Sequence, residues 1–175
     1  MAVSVKKVVA FFASFVLFTV SDVFSANIAF MVVETNILDD VKNNHADVWE
    51  SGVMDVFFIE GHVVSNASAM RIQENDREDF PPEALGDFQQ AIQNGADYFV
   101  LATLNYKKNT DETNKKSPQG LATVSLKLFK ISPYRFVYEN KLAFEKKERS
   151  SSEKTQGEDE LRMAKDAAKT LLPYL

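Results

Sequence analysis

The run "NIAFMVVE" over residues 27–34 is the feature that most constrains how this chain folds. Its apolar residues are continuous, and several of them are β-branched. A strand with one wet face would alternate apolar and polar side chains, whereas this run has no polar side to turn toward water. It therefore predicts a strand that is buried on both faces, in the middle of a sheet.

The residues before this run are predicted to be a secretory signal peptide over residues 1–26. Lys6 and Lys7 form a basic start, an apolar run over residues 8–20 follows, and small residues suit cleavage near Ala26. An uncleaved membrane anchor is the alternative, but the run is short for a span. We therefore expect export, with no stable membrane span after cleavage.

The composition limits the chemistry that the chain can perform. The absence of cysteine excludes disulfides, thiol nucleophiles, thiolate metal sites and a lipidated cysteine. A net charge of −5 gives no general electrostatic reason to bind nucleic acid, so we expect no such partner. Residues 27–175 suffice for a single globular domain with its own core, and a bacterial periplasm is the expected location.

Helical spacing follows in "DVWESGVMDVFFIEG", where apolar residues recur at steps of three and four. Asp47 is predicted to cap this helix, His45 to precede the cap, and Gly61 to end the helix in a left-handed conformation. Residues 62–72 are predicted to form a short second strand with a ragged end. A second helix is predicted before Gly95.

Three segments with a period of two come next, and the last helix is predicted over residues 159–175, after a polar linker. In the last strand, Phe136 and Tyr138 are expected on the same face as Leu142 and Phe144. The predicted order is β-α-β-α-β-β-β-α. The fold class is α+β, a two-layer sandwich with a mixed sheet and helices packed mainly on one face.

The polar residues suggest one possible ligand loop. Asp39 and Asp40 follow the C-terminal end of the predicted central strand, where α/β sheets often bind ligands, and His45 lies nearby. His62 follows the helix-ending glycine, and its expected role is structural. The acidic pair at residues 159–160 is expected to be solvated or to complement the dipole at a helix start. No residue is assigned as catalytic, metal-binding or cofactor-binding, and no cofactor is expected, because no known spacing for such chemistry occurs.

The aromatic residues suggest a partner surface. Four apolar residues fall on the sheet face that is expected to be wet, and together they form a possible partner patch: Phe99, Leu101, Phe129 and Ile131. In the first helix, Trp49 and Phe57 lie near the core stripe, whereas Phe58 lies about 100° around the helix. If Phe58 is exposed, it indicates a protein contact rather than a cofactor site.

The opening strand, the polar loop after it, "DVWESGVMDVFF" and "EGHVVSN" resemble small exported proteins of spirochaetes. The order of elements resembles the periplasmic domains of LpoB and CsgG and the N-terminal domain of TolB. This resemblance implies an assembly or interaction module of the cell envelope, not an enzyme. The chain lacks the lipidated cysteine of LpoB and CsgG, and the resemblance assigns no functional residue.

Three functions remain open at this point. The first is a non-enzymatic periplasmic interaction module that binds an envelope protein or a second copy of itself. The second is a protein that binds a small ligand or lipid in a phenylalanine-lined pocket. The third is a hydrolase that uses Asp39, Asp40 and His62.

Overall fold

The computed structural model describes residues 25–37, 44–72, 86–107, 120–144 and 153–175, with the side chains of the last segment described from residue 157 onward. These residues form six strands, three α-helices and a short 3-10 turn over Leu172–Tyr174. In chain order they are β1 (Asn27–Thr35), α1 (His45–Ile59), β2 (Val63–Asn66), β3 (Met70–Ile72), α2 (Gly86–Gln93), β4 (Tyr98–Tyr106), β5 (Leu121–Lys130), β6 (Arg135–Ala143) and α3 (Glu153–Lys169).

The strands form one mixed sheet in the order β2-β1-β4-β5-β6, and β3 continues the β2 edge alongside β1. Strands β2, β3 and β4 run parallel to β1, whereas β5 and β6 form an antiparallel extension. The predicted α+β sandwich with a mixed sheet is confirmed.

Strand β1 lies inside this sheet, as its sequence predicts, and every residue of it after Asn27 is buried. Alternate side chains enter two separate cores. Ile28, Phe30 and Val32 face α1 and α3. Ala29 and Met31 face the opposite side, where α2 packs. Because apolar layers cover both faces of β1, its side chains are apolar along most of its length.

Helices α1 and α3 cover the first face and pack closely against each other. A Cβ atom added at Gly52 of α1 would lie 2.7 Å from the Cβ of Ala164 in α3. Ala164 is fully buried at this point, so the small residues Gly52 and Ala164 set the separation of the two helices. The short helix α2 covers part of the second face through Phe88 and Ala91.

Gly61 ends α1 as predicted. Its φ is +85°, a region that residues with a Cβ rarely adopt. The N–H of Gly61 donates to the carbonyl of Phe58, and the N–H of His62 donates to that of Phe57. These two bonds form a Schellman motif, which satisfies carbonyls at the helix end and turns the chain into β2.

Three predicted boundaries were wrong. Helix α1 begins at His45, with Asn44 and not Asp47 at the cap. Helix α3 begins at Glu153, inside the segment that was predicted to be a linker. The second strand is divided into β2 and β3. Interactions between elements that are distant in sequence contribute to such boundaries, so local capping patterns place them poorly.

The predicted common face of β6 was also wrong at one position. Tyr138 pairs with Leu128, but Phe136 pairs with Phe129, so Val137 is an extra residue in β6. Such a bulge reverses the side on which the preceding residues project. Phe136 therefore projects toward the second face, away from Leu142 and Phe144.

Candidate functional site

The two ends of the sheet differ sharply in chemistry. At the C-terminal ends of the parallel strands lies a cluster of buried and partly buried polar side chains, which we call the polar cluster: Glu34, His45, Trp49, Arg71, Tyr106 and Glu160. At the opposite end lie exposed apolar side chains. Strand β1 separates these ends by about 30 Å, given nine residues at roughly 3.3 Å each.

Glu34 is the most deeply buried charge of the polar cluster, with no exposed side-chain surface. The hydroxyl of Tyr106 donates to its Oε1 at 2.6 Å. Nε of Arg71 donates to its Oε2 at 2.8 Å. Arg71 is half exposed, so the cation meets water on one side and the buried carboxylate on the other. Both carboxylate oxygens of Glu34 are therefore occupied.

Glu160 joins the first turn of α1 to α3. Nδ1 of His45 lies 2.7 Å from Oε2 and 2.8 Å from Oε1 of Glu160, and the indole N–H of Trp49 donates to Oε1 at 2.9 Å. The ring of His45 also lies 5.9 Å from that of Tyr106, which brings the two halves of the cluster together.

Tyr106 is held protonated by these neighbours. Burial raises the pKa of Tyr106 far above its usual value. Its hydrogen bond to Glu34 and the negative charges of Glu34 and Glu160 raise this pKa further, while Arg71 opposes them. The hydroxyl therefore serves as a hydrogen-bond donor to a buried carboxylate. A group with so high a pKa is poorly suited to accept a proton near neutral pH.

Of the three residues of the predicted ligand loop, the structure describes His45. Asp39 and Asp40 lie outside the described residues. His45 is bound to Glu160, in the polar cluster. His62 lies at the other end of the sheet, where its Nδ1 accepts a hydrogen bond from the N–H of Ala26 at 3.2 Å. His62 thus makes a contact within the fold and does not converge with His45.

A groove of about 370 Å³ lies between the first turns of α1 and α3, near the polar cluster. Its lining includes Asp47, Ser51 and Glu158, all of which are exposed. A built ligand site normally encloses its ligand and aims a few polar groups into it. This groove is a furrow between two helices.

The predicted partner patch is not a surface. Phe99, Leu101 and Phe129 are buried, and Ile131 is half-buried against the same core. The four residues do lie together on one face, but α2 covers them: Phe88 packs edge-on against Phe99, with ring centroids 5.1 Å apart. The expectation that this face is wet was wrong here, because the preceding helix folds back over it.

The exposed apolar side chains instead lie around one end of the sheet. Seven large hydrophobic residues are exposed in the described part of the chain, and we call them the apolar end: Phe58, Ile59, Val63, Ile92, Tyr134, Phe136 and Tyr174. Phe58 was singled out from the sequence, and it is the most exposed of them at 75%.

The topology explains why these residues meet. Val63 pairs with Asn27, the first residue of β1. Ile92 lies in the last turn of α2, shortly before β4, and Tyr134 lies in the β5–β6 turn. The N–H of Ile131, which opens that turn, donates to the carbonyl of Asp97, next to the start of β4. At the chain end, the carbonyl of Leu175 accepts a hydrogen bond from Tyr98.

Sequence reasoning missed most of the polar cluster. A signal for Glu34 existed, because a lone acid at the end of an otherwise apolar strand is either solvated or paired. Glu160 was expected to be solvated with Asp159. Asp159 is exposed, but Glu160 is buried. Its partners His45 and Trp49 lie more than 100 residues away in the chain, so no local pattern connects them.

Within the described residues, no group of three or more potential metal ligands comes together. None of the described helices is long and apolar enough to cross a membrane.

A family model with the description "Uncharacterised protein" matches residues 27–171. The chain belongs to this family. No curated protein matches it. The resemblance to LpoB, CsgG and TolB stays a prediction, because the similar structures described next are other proteins.

Among solved structures, the chain is similar to the PelC dodecamer from Paraburkholderia phytofirmans, at 14% identity and a TM-score of 0.45, covering 82% of this chain and 85% of that one. It is also similar to the hypothetical protein CT253 from Chlamydia trachomatis, at 11% identity and a TM-score of 0.44, covering 86% and 95%. Likenesses at this level carry no argument about function.

Proposed function

We propose that this protein is a non-enzymatic, exported interaction module of the bacterial cell envelope, and that the apolar end is its working surface. The observation that carries the proposal is the position of the seven exposed hydrophobic residues, which all lie at one end of the sheet. Scattered exposed apolar residues need no explanation, but a concentration of them indicates a contact surface.

The state of the polar cluster favours binding over catalysis. Its two carboxylates are already engaged by Tyr106, Arg71, His45 and Trp49. Such a closed network holds β1, β3, β4, α1 and α3 together. The predicted signal peptide and the resemblance to exported spirochaete proteins support an envelope location, in which the partner is an envelope component or a second copy of the chain.

Photo-cross-linking in cells tests the proposal. A photoreactive amino acid replaces Phe136 at the apolar end, or Asn44, which is exposed beside the polar cluster. We expect cross-linked adducts from position 136 and few from position 44. Equal adduct formation at the two positions, or none at either, would contradict a working surface at the apolar end.

A further inference from the structure

We infer that the apolar end docks on a lipid bilayer surface, with the sheet standing end-on to the membrane. This inference rests on the proposed function and names the partner of the same surface. The proposed partner is lipid. The test distinguishes binding to lipid from binding to a second copy of the chain.

The chain enters the domain at the apolar end. Twenty-four residues precede Ser25, and they include the apolar run over residues 8–20. They join the domain at this end through Ala26. The carbonyl of Ala26 accepts a hydrogen bond of 3.0 Å from the N–H of Val63, and the N–H of Ala26 donates to Nδ1 of His62. Whenever that run is inserted in a membrane, before cleavage or permanently, the apolar end is the part of the domain nearest to the lipid.

The shape of the apolar end also suits a membrane surface. The seven side chains come from several separate tips, namely the ends of α1 and α2, the start of β2, the β5–β6 turn with the start of β6, and the 3-10 turn. A ring of tips can enter the headgroup region together, whereas a protein partner usually meets a continuous face or groove. Two members, Tyr134 and Tyr174, have the apolar body and polar tip that suit a membrane interface.

The apolar end carries charges of both signs. Glu60 and Arg135 are both exposed there, and Lys130 lies over the ring of Tyr98 at 5.8 Å. A surface of this kind has no strong preference for anionic lipid, in contrast to a polybasic membrane site. The inference therefore predicts binding that depends on apolar insertion and hardly on lipid charge or salt.

The experiment uses the absence of cysteine in the chain. The protein is produced with its own N-terminal segment and recovered in whichever processed form the cell yields. A single cysteine replaces Ile59 or Phe136 at the apolar end, or Asn44 as the matched control, and carries a polarity-sensitive dye. Vesicles of phosphatidylcholine, with or without phosphatidylglycerol, are then added.

We expect the dyes at positions 59 and 136 to shift their emission to shorter wavelength with both kinds of vesicle, while the dye at position 44 stays unchanged. Adding Phe58→Ser to the Phe136→Cys protein should weaken this lipid-dependent shift by roughly fivefold or more, as expected for losing one large apolar side chain. The N-terminal segment is identical in these proteins, so the difference reports on the apolar end.

Three results would overturn the inference. One is no shift at any position. Another is a shift that occurs only with phosphatidylglycerol and equally at position 44, which indicates charge-driven adsorption. The last is a shift at positions 59 and 136 that rises with protein concentration and ignores vesicles. That result assigns the apolar end to a second copy of the chain, and it would leave the proposed interaction function standing.

Discussion

The hydroxyl of Tyr106 donates a 2.6 Å hydrogen bond to Oε1 of Glu34, joining the ends of β4 and β1 inside the protein. The carboxylate of Glu34 has no exposed surface. The hydrogen bonds from Tyr106 and Arg71 therefore replace those that water would otherwise donate to this carboxylate. The pair fixes the polar end of the sheet.

The first prediction concerns alkaline stability. The pKa of Tyr106 is raised in the folded protein, whereas tyrosine in an unfolded chain ionises near pH 10. The stabilisation from this group is therefore complete below about pH 10 and is lost as the pH rises above it, by up to ~1.4 kcal/mol per pH unit. Urea unfolding between about pH 9 and pH 11 measures this slope.

Tyr106→Phe provides the control for that slope. Below about pH 10 the variant is less stable than the wild type, because Oε1 of Glu34 loses its donor. Its stability should nevertheless fall less steeply above about pH 10 than that of the wild type. If the two slopes were equal, the account of Tyr106 as a buried, protonated donor would be wrong.

The second prediction compares a buried acid with an exposed one. Glu34→Ala removes the buried carboxylate that accepts from Tyr106 and pairs with Arg71, so we expect it to lower the free energy of unfolding by about 3 kcal/mol. Glu34→Gln keeps an acceptor for the Tyr106 hydroxyl and should therefore lose less stability than Glu34→Ala.

Asp166→Ala breaks an exposed ion pair with Lys169 and should change the free energy of unfolding by less than about 1 kcal/mol. Chemical denaturation ranks the three, and an equal loss in Glu34→Ala and Asp166→Ala would contradict the structure.

The sequence predicted which segments form the strands of the sheet better than it predicted the positions of side chains at the two ends of the sheet. Continuous apolar residues identified β1 as a central strand, and alternating residues identified β4, β5 and β6, because these patterns depend on local geometry. The positions of Phe136 and Glu160 could not be predicted in that way. Phe136 depends on a bulge in the pairing of β5 with β6, and Glu160 depends on a contact between two helices that are distant in sequence.

The candidate surface was anticipated only in part. Phe58 was predicted to lie off the core stripe of α1, and it does. The patch of Phe99, Leu101, Phe129 and Ile131 was placed on the correct face, but α2 covers it. The exposed aromatics adjoin that patch: Tyr134 stacks on Phe129 with ring centroids 6.1 Å apart, and Phe136 packs against Phe129 at 5.6 Å. A period-two pattern shows which face a residue occupies, but not what later covers that face.

The third prediction tests the contact between α1 and α3. Gly52→Ala should destabilise the protein by about 1–3 kcal/mol, because the new methyl group meets Ala164 and the carbonyl of Leu161 at 3.2 Å. Gly157→Ala in α3 is the matched control. A Cβ there meets nothing within 4 Å, so alanine should stabilise the helix by up to ~1 kcal/mol.

Thermal unfolding of both proteins checks the sign of each change. Adding Ala164→Gly to Gly52→Ala should restore part of the lost stability, because it removes one of the two colliding methyl groups. Stabilisation by Gly52→Ala alone would show that the helices are not packed as closely as described.

The orientation of the domain on a membrane is tested most directly by tryptophan quenching. The chain has one tryptophan, Trp49, which is buried in the polar cluster and is therefore a built-in reference. Phe136→Trp places a second one at the apolar end. With vesicles of brominated phosphatidylcholine, we predict that the emission of the wild type stays unchanged and that the added emission of Phe136→Trp is quenched. Equal responses of the two proteins would contradict an apolar end that docks on lipid.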